Sequence, residues 1–348
     1  MYFPEKDSAS WKCIKNKNIN YKKLQSEINR QQLFFGNYPQ SILIIKNGEI
    51  IFDHHSFMTL PQSRFDVWSC TKSFTGLAWF LLLDEINKKT YPKKTPIDLN
   101  TKVYKFLPKS FIDNDLRKKE ITLHHLLSMT SGIPGENHQI YGLVTQPNFG
   151  PYEFALGTCD NRYGKSVAKL TSIPGTQWDY SDAGVAILSI LFFKIAKINI
   201  HEYLNRKVFK PIGIENASWD LHGGGNFLGP FTSSHVGLHI SARDLSKFGL
   251  LLLNYGKWKK KQLIPKNLIK KITTKSQKLN ENYGYQFWLN TDGTHWLSLP
   301  KNMFALEGYN SNRCYIFPTE KIIVTRIGAG PSEWNEQNFI TNIYRSCR

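Results

Sequence analysis

Cysteine is scarce in this sequence, and its spacing suits neither a disulfide framework nor a zinc site. The chain has five cysteines in 348 residues, an odd number, and none of them forms a Cys-x-x-Cys pair. Two histidine pairs, His54 with His55 and His124 with His125, are adjacent in the chain, so their rings point to different faces of a helix or strand. A His-Glu-x-x-His motif is also missing. We therefore expect no metal site.

Long apolar runs are missing as well. The two longest, residues 76–83 and 184–193, end at Asp84 and Lys194, well short of the roughly 20 residues that a bilayer requires. The sequence therefore predicts no integral membrane segment. The first residues, MYFPEKD, contain no basic and then apolar leader. The compartment stays open between the cytoplasm and, if a signal peptide has been removed, the periplasm.

Acidic residues are few, and the chain is strongly basic. There are 27 acidic residues against 45 lysines and arginines, which gives a net charge of +18. Such an excess is typical of proteins that bind nucleic acids, but here the lysines are scattered among asparagine and isoleucine without a recognition motif. We expect no nucleic-acid partner. The 41% hydrophobic and 14% aromatic content excludes a disordered chain, and the composition leaves the oligomeric state open.

The order of the predicted elements indicates an α+β fold. Residues 42–45 and 50–52 are β-branched runs around Asn47-Gly48, a strong signal for a two-residue hairpin turn. Helices are predicted at 73–86, 121–129, 183–196 and 242–253, and further strands at 283–289, 304–306, 313–317 and 321–327. We therefore expect an antiparallel sheet that is flanked by helices and built from both chain ends.

This order also predicts a division into domains. Strands come first, then helices, and then strands again, so a mostly helical domain is inserted into a sheet domain. We place the sheet domain at residues 1–75 and 233–348 and the inserted domain at 76–232, with the active site at the seam. A long irregular segment at 136–164, rich in glycine, proline and aromatic residues, is expected to shape specificity.

The sharpest chemical motif joins Ser69 and Lys72 at the start of the predicted helix at 73–86. A lysine three residues after a serine lies on the same helix face, and a serine becomes a nucleophile when a base takes its proton. The helix N-terminus favours an oxyanion, and burial favours a neutral lysine. Ser-x-x-Lys recurs at 166–169 and 298–301, but only the first copy stands between a polar loop and an all-apolar helix.

This segment resembles the nucleophile motif of the serine β-lactamase and penicillin-binding-protein-like superfamily, the class C β-lactamase-related serine hydrolases. It reads WSCTKSFTG at 68–76. Three further segments resemble other motifs of that family in the same order: ITLHHLLSMTSG at 121–132, PGTQWDYSDAG at 174–184 and SARDLSKFG at 241–249. The resemblance covers about residues 41–327 and implies the β-lactamase/transpeptidase-like fold. It is nearest to the branch of 6-aminohexanoate-dimer hydrolases and esterases.

The resemblance assigns roles to Tyr180 and Asp182. Tyr180 would be the phenol that moves a proton between the nucleophile, the leaving group and water. Asp182 stands where the family usually has asparagine. Because a carboxylate only accepts hydrogen bonds, Asp182 could hold Lys72 but could not donate to a substrate carbonyl. The residues alone also allow another interpretation, in which Tyr180 packs at a helix start and Asp182 caps that helix.

The third motif of the family resembles Leu306-Glu307-Gly308, followed by Tyr309. Gly308 would let a substrate approach the strand, and the Tyr309 N–H would join the N–H of the nucleophile as an oxyanion hole. Leu306 stands where the family typically has a basic or polar residue that holds a substrate carboxylate, and Glu307, a candidate substrate-binding residue, would oppose a carboxylate. Arg313 is a candidate replacement whose direction the sequence leaves open. An ordinary inner strand would show the same pattern.

Together these motifs predict a serine hydrolase that acts through an acyl-enzyme without metal or cofactor. Its expected partner is a small-molecule ester, amide or peptide substrate. A D-alanyl-D-alanine carboxypeptidase or a β-lactamase is the alternative within the family. An alternative of another class is a non-catalytic binding or assembly module of the same fold, because a fold by itself does not determine function.

Overall fold

The computed structural model describes most of the chain. The described residues are 1–5, 10, 11, 13–35, 38, 40–56, 58–92, 96–113, 115–135, 151–156, 169–221, 231–329 and 334–348. Of the irregular segment predicted at 136–164, only 151–156 lies among them, and it forms a short helix. The rest of that prediction lies outside the described residues.

Helices and short strands alternate along the described chain. The α-helices are α1 (Tyr21–Phe35), α2 (Thr71–Asn87), α3 (Ser110–Asp113), α4 (Leu123–Leu127), α5 (Pro151–Leu156), α6 (Asp182–Ala196), α7 (Ile200–Leu204), α8 (Lys210–Ile212), α9 (Ala242–Leu253), α10 (Lys266–Ile272) and α11 (Glu336–Ser346). The strands are β1 (Gln40–Lys46), β2 (Glu49–His55), β3 (Arg64–Asp66), β4 (Ser218–Trp219), β5 (Leu238–Ser241), β6 (Lys257–Trp258), β7 (Lys261–Gln262), β8 (Trp288–Leu289), β9 (Phe304–Gly308), β10 (Asn312–Phe317) and β11 (Ile322–Gly328). Short 3₁₀ turns lie at Trp68–Cys70, Val103–Phe106 and Leu116–Glu120.

The main sheet has the strand order β2, β1, β11, β10, β9, β8, and every neighbouring pair is antiparallel. Asn47 and Gly48 have φ angles of 54° and 89°, as a two-residue turn between twisted antiparallel strands requires. A second sheet has the order β3, β5, β4. The predicted α+β fold, with strands from both chain ends in one sheet, is confirmed. The domain boundaries at 75/76 and 232/233 stay a prediction.

Helices cover both faces of the main sheet. On one face, α1 and α11 contact each other over Ile42 and Ile44. On the other face, α2, α6 and α9 share the larger core with Leu43 and Ile45. Successive strand residues point to opposite faces, so the unbroken apolar run in β1 is what a strand covered on both sides requires.

Helix α2 is buried all round, as its apolar sequence predicts. Every residue from 71 to 83 is buried. The Phe74 ring stacks on Phe248 with centroids 3.9 Å apart and meets two further aromatic rings edge-on. Because Ser69 and Lys72 lie at the beginning of this helix, its packing fixes where they stand.

Two predicted elements are shorter than expected. The strand predicted at 283–289 is wrong for most of its length, because only β8 pairs with the main sheet. The Gly284 N–H donates to the Phe287 carbonyl at 2.8 Å, and Gln286 has a φ of 68°, so the chain folds back within the apolar run. The helix predicted at 121–129 shortens to α4. Local turns interrupt an apolar pattern in both places.

Within the described residues, no single helix has both the length and the apolar composition to cross a bilayer. Helix α6 and the helical residues 200–212 reach that length and composition only as a pair, and the two parts meet at an angle of 68°. Nearly all of α6 is buried in the protein core.

The variant Phe74→Ala should lower the free energy of unfolding by roughly 3–5 kcal/mol, because it deletes a fully buried ring and leaves a cavity beside α2. Urea unfolding followed by circular dichroism measures this loss. The control Leu116→Ala, at a position 67% exposed, should change the free energy by less than about 0.5 kcal/mol. A loss under about 1 kcal/mol for Phe74→Ala would contradict the assignment of this ring as an anchor of α2.

Candidate active site

Ser69 lies in the middle of the 3₁₀ turn Trp68–Cys70, directly before α2. The preceding Trp68 has a φ of 49°, in the left-handed region that bulky residues rarely adopt. Asp66 holds this backbone, since its Oδ1 accepts from the Trp68 N–H at 2.8 Å and from the Gly237 N–H at 3.2 Å. The turn therefore presents Ser69 at the N-terminal end of a buried helix, where the sequence predicts the nucleophile.

Hydroxyl side chains in the first turns of α2 join it to neighbouring segments. Ser73 Oγ donates to the Gln286 carbonyl at 2.6 Å. Thr75 Oγ1 donates to the Ser234 carbonyl at 2.8 Å. All of these groups are buried, and each bond satisfies a polar group that burial would otherwise leave unpaired. The bonds fix the rotation of α2 about its axis, and so the direction of its lysine.

The Lys72 amine lies at the centre of the site, and only 1% of the residue is exposed. Its Nζ donates to Ser69 Oγ at 2.6 Å and to the His235 carbonyl at 3.2 Å, and it forms an ion pair with Asp182 Oδ1 at 2.6 Å. Nζ also lies 4.8 Å from the centroid of the Tyr180 ring, within the range of a cation–π contact. The four side chains for which the sequence predicts chemistry therefore come together around one amine.

Asp182 is the first residue of α6 and not its cap. Ser181 caps the helix, because its Oγ accepts from the Gly184 N–H at 2.9 Å and donates to the Pro134 carbonyl at 2.9 Å. The alternative that Asp182 caps this helix is wrong. Burial raises the pKa of Asp182, but the charge of Lys72, its bond to the carboxylate and His235 together lower it by more, so the pKa lies below its ordinary value. At neutral pH Asp182 is therefore a carboxylate, and it faces the Lys72 side chain.

Aromatic rings form one side of the site. The Tyr180 ring stacks on Trp288 with centroids 5.7 Å apart and planes 22° apart. Trp288 stacks in turn on His295, with centroids 4.9 Å apart and planes 5° apart. Trp178 and Tyr283 meet the indole edge-on, a favourable geometry for aromatic pairs. We call Tyr180, Trp288 and His295 the aromatic wall; it begins at the buried amine.

Gly308 ends β9 against the turn that carries Ser69. A Cβ built at Gly308 would lie 2.1 Å from the Val67 carbonyl oxygen and 3.2 Å from the Ser69 nitrogen, so no larger residue fits without a shift of the backbone. Tyr309 follows, 59% exposed, with its ring edge-on to Trp68 at 5.4 Å. The end of β9 therefore adjoins the turn of Ser69, the candidate nucleophile. The oxyanion role of the two N–H groups stays a prediction.

A buried arginine holds the turn after β9. Asn310 and Ser311 have φ angles of 56° and 62°. Arg326, fully buried beneath them, donates to their carbonyl oxygens at 2.8 Å and 3.1 Å. Asn312 Oδ1 accepts from the backbone N–H of Gly328 at 2.9 Å. These bonds fix the backbone that follows Gly308, which the sequence alone did not indicate.

The charged groups near Leu306 are engaged with one another. Glu307 Oε1 lies 2.8 Å from His295 Nε2, and Glu307 Oε2 lies 3.8 Å from Arg313 Nη2. Arg313 donates to the Glu336 carboxylate at 2.7 Å, which settles the direction that the sequence left open. Leu306 is fully buried. Neither Leu306 nor Arg313 offers a cation to a substrate carboxylate, and contact between Glu307 and substrate stays a prediction.

Three residues of the site escaped the sequence analysis: His235, Trp288 and His295. Burial lowers the pKa of His235 to about 4, although Asp182 raises it, and the neighbouring Lys72 also lowers it, so the ring is neutral at neutral pH. Trp288 and His295 belong to none of the motifs. The one signal for them is the density of aromatic residues in the stretch YGYQFWLNTDGTHW at 283–296.

Among the described residues, a second cluster brings a serine, a histidine and an aspartate together. Ser41 Oγ lies 2.8 Å from His55 Nδ1, and His55 Nε2 lies 2.7 Å from Asp53 Oδ1. These are the three residue types of a catalytic triad, with the two imidazole nitrogens exchanged. Ser41 is fully buried within the sheet, however, and closed to a substrate. The Ser-x-x-Lys motif at 298–301 lies in a surface turn, and most of the motif at 166–169 lies outside the described residues.

Comparisons with known proteins identify the family of this chain. The model of the Beta-lactamase family matches residues 38–330. The relative "Protein flp" of Staphylococcus aureus is 24% identical over 193 residues, which cover 53% of this chain and 35% of that protein. The chain thus spans about a third of the length of that curated relative.

Solved structures with little sequence identity share the fold. A protein described as a 6-aminohexanoate-dimer hydrolase from Bacillus anthracis is 18% identical with a TM-score of 0.68, over 92% of this chain and 80% of that one. EstCE1, a hydrolase with promiscuous acyltransferase activity, is 16% identical with a TM-score of 0.68, over 94% of this chain and 98% of that one. Because the family model matches from the first strand of the main sheet to the end of the last, the chain belongs to the Beta-lactamase family.

Proposed function

We propose that this chain is a serine hydrolase that acts through an acyl-enzyme on ester or amide bonds of small substrates. The observation that carries the proposal is the pair of 2.6 Å contacts from Lys72 Nζ, one to Ser69 Oγ and one to Asp182 Oδ1. A serine that only begins a helix needs no buried lysine, whereas a nucleophilic serine needs a neighbouring group that manages its proton. The hydrolases among the structural neighbours support the same class of reaction.

In this mechanism Ser69 Oγ attacks the carbonyl carbon of the substrate, and its proton passes to the unit that Lys72 and Tyr180 form. The N–H groups of Ser69 and Tyr309 stabilise the tetrahedral oxyanion. Collapse of the intermediate breaks the C–O or C–N bond, and the leaving group takes the proton. Water then attacks the ester on Ser69, returns a proton to Ser69 Oγ through the same unit, and releases the acid.

Asp182 gives the lysine a particular role. Its carboxylate stabilises the Lys72 side chain as an ammonium at 2.6 Å. That ammonium lies 4.8 Å from the centroid of the Tyr180 ring, where positive charge stabilises the negative charge that develops on a phenol oxygen as it gives up its proton. We therefore assign proton exchange to Tyr180, and to Lys72 the electrostatic support of that exchange and the orientation of Ser69 Oγ.

The surroundings of the third motif favour uncharged substrates. Leu306 is buried in the core and Arg313 is engaged by Glu336, so neither offsets the desolvation of a substrate carboxylate. The aromatic wall offers apolar surface instead. These features support neutral or amine-bearing short esters and amides over penicillins and D-alanyl peptides, which carry a carboxylate.

A serine-reactive phosphonate should attach to Ser69 alone, because Ser69 has an adjacent buried amine and is itself partly exposed. Intact-mass measurement followed by peptide mapping locates the adduct. Ser69→Ala should abolish labelling. The matched control Ser41→Ala, which removes the buried serine of the second cluster, should label like the unchanged protein. An adduct at Ser41 or Ser298 would overturn the assignment, and a folded protein without any adduct would favour the non-catalytic module.

The second test compares two esters that differ by one carboxylate, p-nitrophenyl butyrate and the mono-p-nitrophenyl ester of succinic acid. We expect kcat/KM to be at least roughly 10-fold higher for the butyrate, since burial of a carboxylate without a cationic partner costs more than the roughly 1–3 kcal/mol that burial of an unpaired neutral polar group costs. Initial-rate kinetics measures the ratio, with a penicillin and a D-alanyl-D-alanine peptide as further substrates. A penicillin or D-alanyl peptide that is turned over as efficiently as the butyrate would favour the cell-wall alternative.

A further inference from the structure

A chain of side-chain contacts joins the two sides of the active site. Glu307 directly precedes Gly308, which abuts the turn of the nucleophile. Glu307 Oε1 lies 2.8 Å from His295 Nε2. The His295 ring lies parallel to Trp288 at 4.9 Å, and Trp288 stacks on Tyr180 at 5.7 Å. The phenol on one side is thereby linked to the strand end on the other.

The backbone alone supports the aromatic wall weakly. Trp288 belongs to a strand of two residues, which pairs with the main sheet only through Ala305 and Phe304. Tyr180 precedes the cap of α6 and so lies outside the helix. A ring on such short or irregular backbone keeps its plane only where side-chain neighbours restrict its rotamers. The indole meets Trp178 and Tyr283 edge-on, and His295 is the neighbour that lies parallel to it, with the planes 5° apart.

We propose that Trp288 and His295 are positioning residues for Tyr180. Glu307 fixes the plane of the imidazole, the imidazole fixes the plane of the indole, and the indole holds the phenol ring against the Lys72 amine. This inference rests on the proposed function, because it gives the orientation of Tyr180 a part in acyl transfer. None of the family-like motifs in the sequence contains Trp288 or His295.

The charge of the imidazole adds a pH dependence to the stack. Glu307 on β9, Glu336 on α11 and Arg313 on β10 face His295. Burial and the Arg313 guanidinium lower the pKa of His295. The bond to Glu307 and the charges of the two carboxylates together raise it by more, so the pKa lies above its ordinary value. The charged, Glu307-bound form therefore persists to a higher pH than for a free histidine. It is lost as the pH rises through the raised pKa.

The first experiment tests the ring of His295 and its charge separately. His295→Ala removes the ring and should lower kcat for p-nitrophenyl butyrate about tenfold with KM changed less than about twofold, because a misplaced proton-transfer group slows the chemical step more than binding. The double variant His295→Phe with Glu307→Gln keeps a planar ring against the indole and removes both charges. This double variant should have a kcat within about threefold of that of the unchanged protein. Trp258→Phe, a buried indole that packs on Phe3 away from the site, is the matched control and should leave kcat unchanged.

The second experiment observes the stack without relying on turnover. A protonated imidazole in contact with an indole quenches its fluorescence, so the emission of the unchanged protein should rise with pH through the pKa of His295. That step should vanish in Trp288→Phe and in His295→Ala. Glu307→Gln should move the step to lower pH, because it removes a carboxylate that raises the pKa of His295.

The outcomes distinguish this inference from the proposed function. If the unchanged protein is not acylated at Ser69, the proposed function fails and the positioning role falls with it. If Ser69 is acylated but His295→Ala keeps its kcat, or the Phe and Gln double variant fails to recover it, the positioning role is overturned and the hydrolase stands. If His295→Ala does not fold, the unchanged protein and Glu307→Gln decide the matter, because a fluorescence step that Glu307→Gln leaves in place overturns the inference.

Discussion

The site depends on the burial of one amine. An ammonium removed from water without partners costs several kcal/mol, so Lys72 can be buried only where other groups face it from several directions. Here a carboxylate from the start of α6, a hydroxyl from the turn before α2 and a carbonyl from the segment before β5 do so. Three separate parts of the chain are thereby required to meet at one point, and Ser69, the proposed nucleophile, lies at that point.

The opposite side of the site is constrained by shape instead of charge. The end of β9 approaches the Ser69 turn so closely that only a glycine fits at position 308. Buried Arg326 fixes the turn that follows. Burial lowers the pKa of Arg326 to about 9, so its guanidinium is still charged at neutral pH and donates to the carbonyl groups above it. The aromatic wall has less regular backbone beneath it, because Trp288 lies in a strand of two residues and Tyr180 lies outside α6.

The sequence predicts the parts of this arrangement that depend on local spacing. Ser69 and Lys72 are one helical turn apart. Asn47 and Gly48 are residues that readily adopt the positive φ angles of a hairpin turn. Both features can therefore be recognised from a short stretch of sequence. Contacts between distant segments carry no such signal. The contact of Tyr180 with Trp288 depends on where two irregular segments are placed by the fold. The partner of Arg313 depends likewise on the packing of α11, and the strand predicted around β8 failed because a turn lay inside its apolar run.

The central claim is that Lys72 and Tyr180 handle the proton of Ser69 as one unit, and a double-mutant cycle tests it most directly. The measured quantity is the second-order rate constant for acylation of Ser69 by p-nitrophenyl butyrate in Lys72→Ala, Tyr180→Phe and the double variant. Each single change should cost roughly 10²- to 10⁴-fold, and the double variant should lose little more, because groups that act together are not additive. Losses that multiply in the double variant would contradict the account.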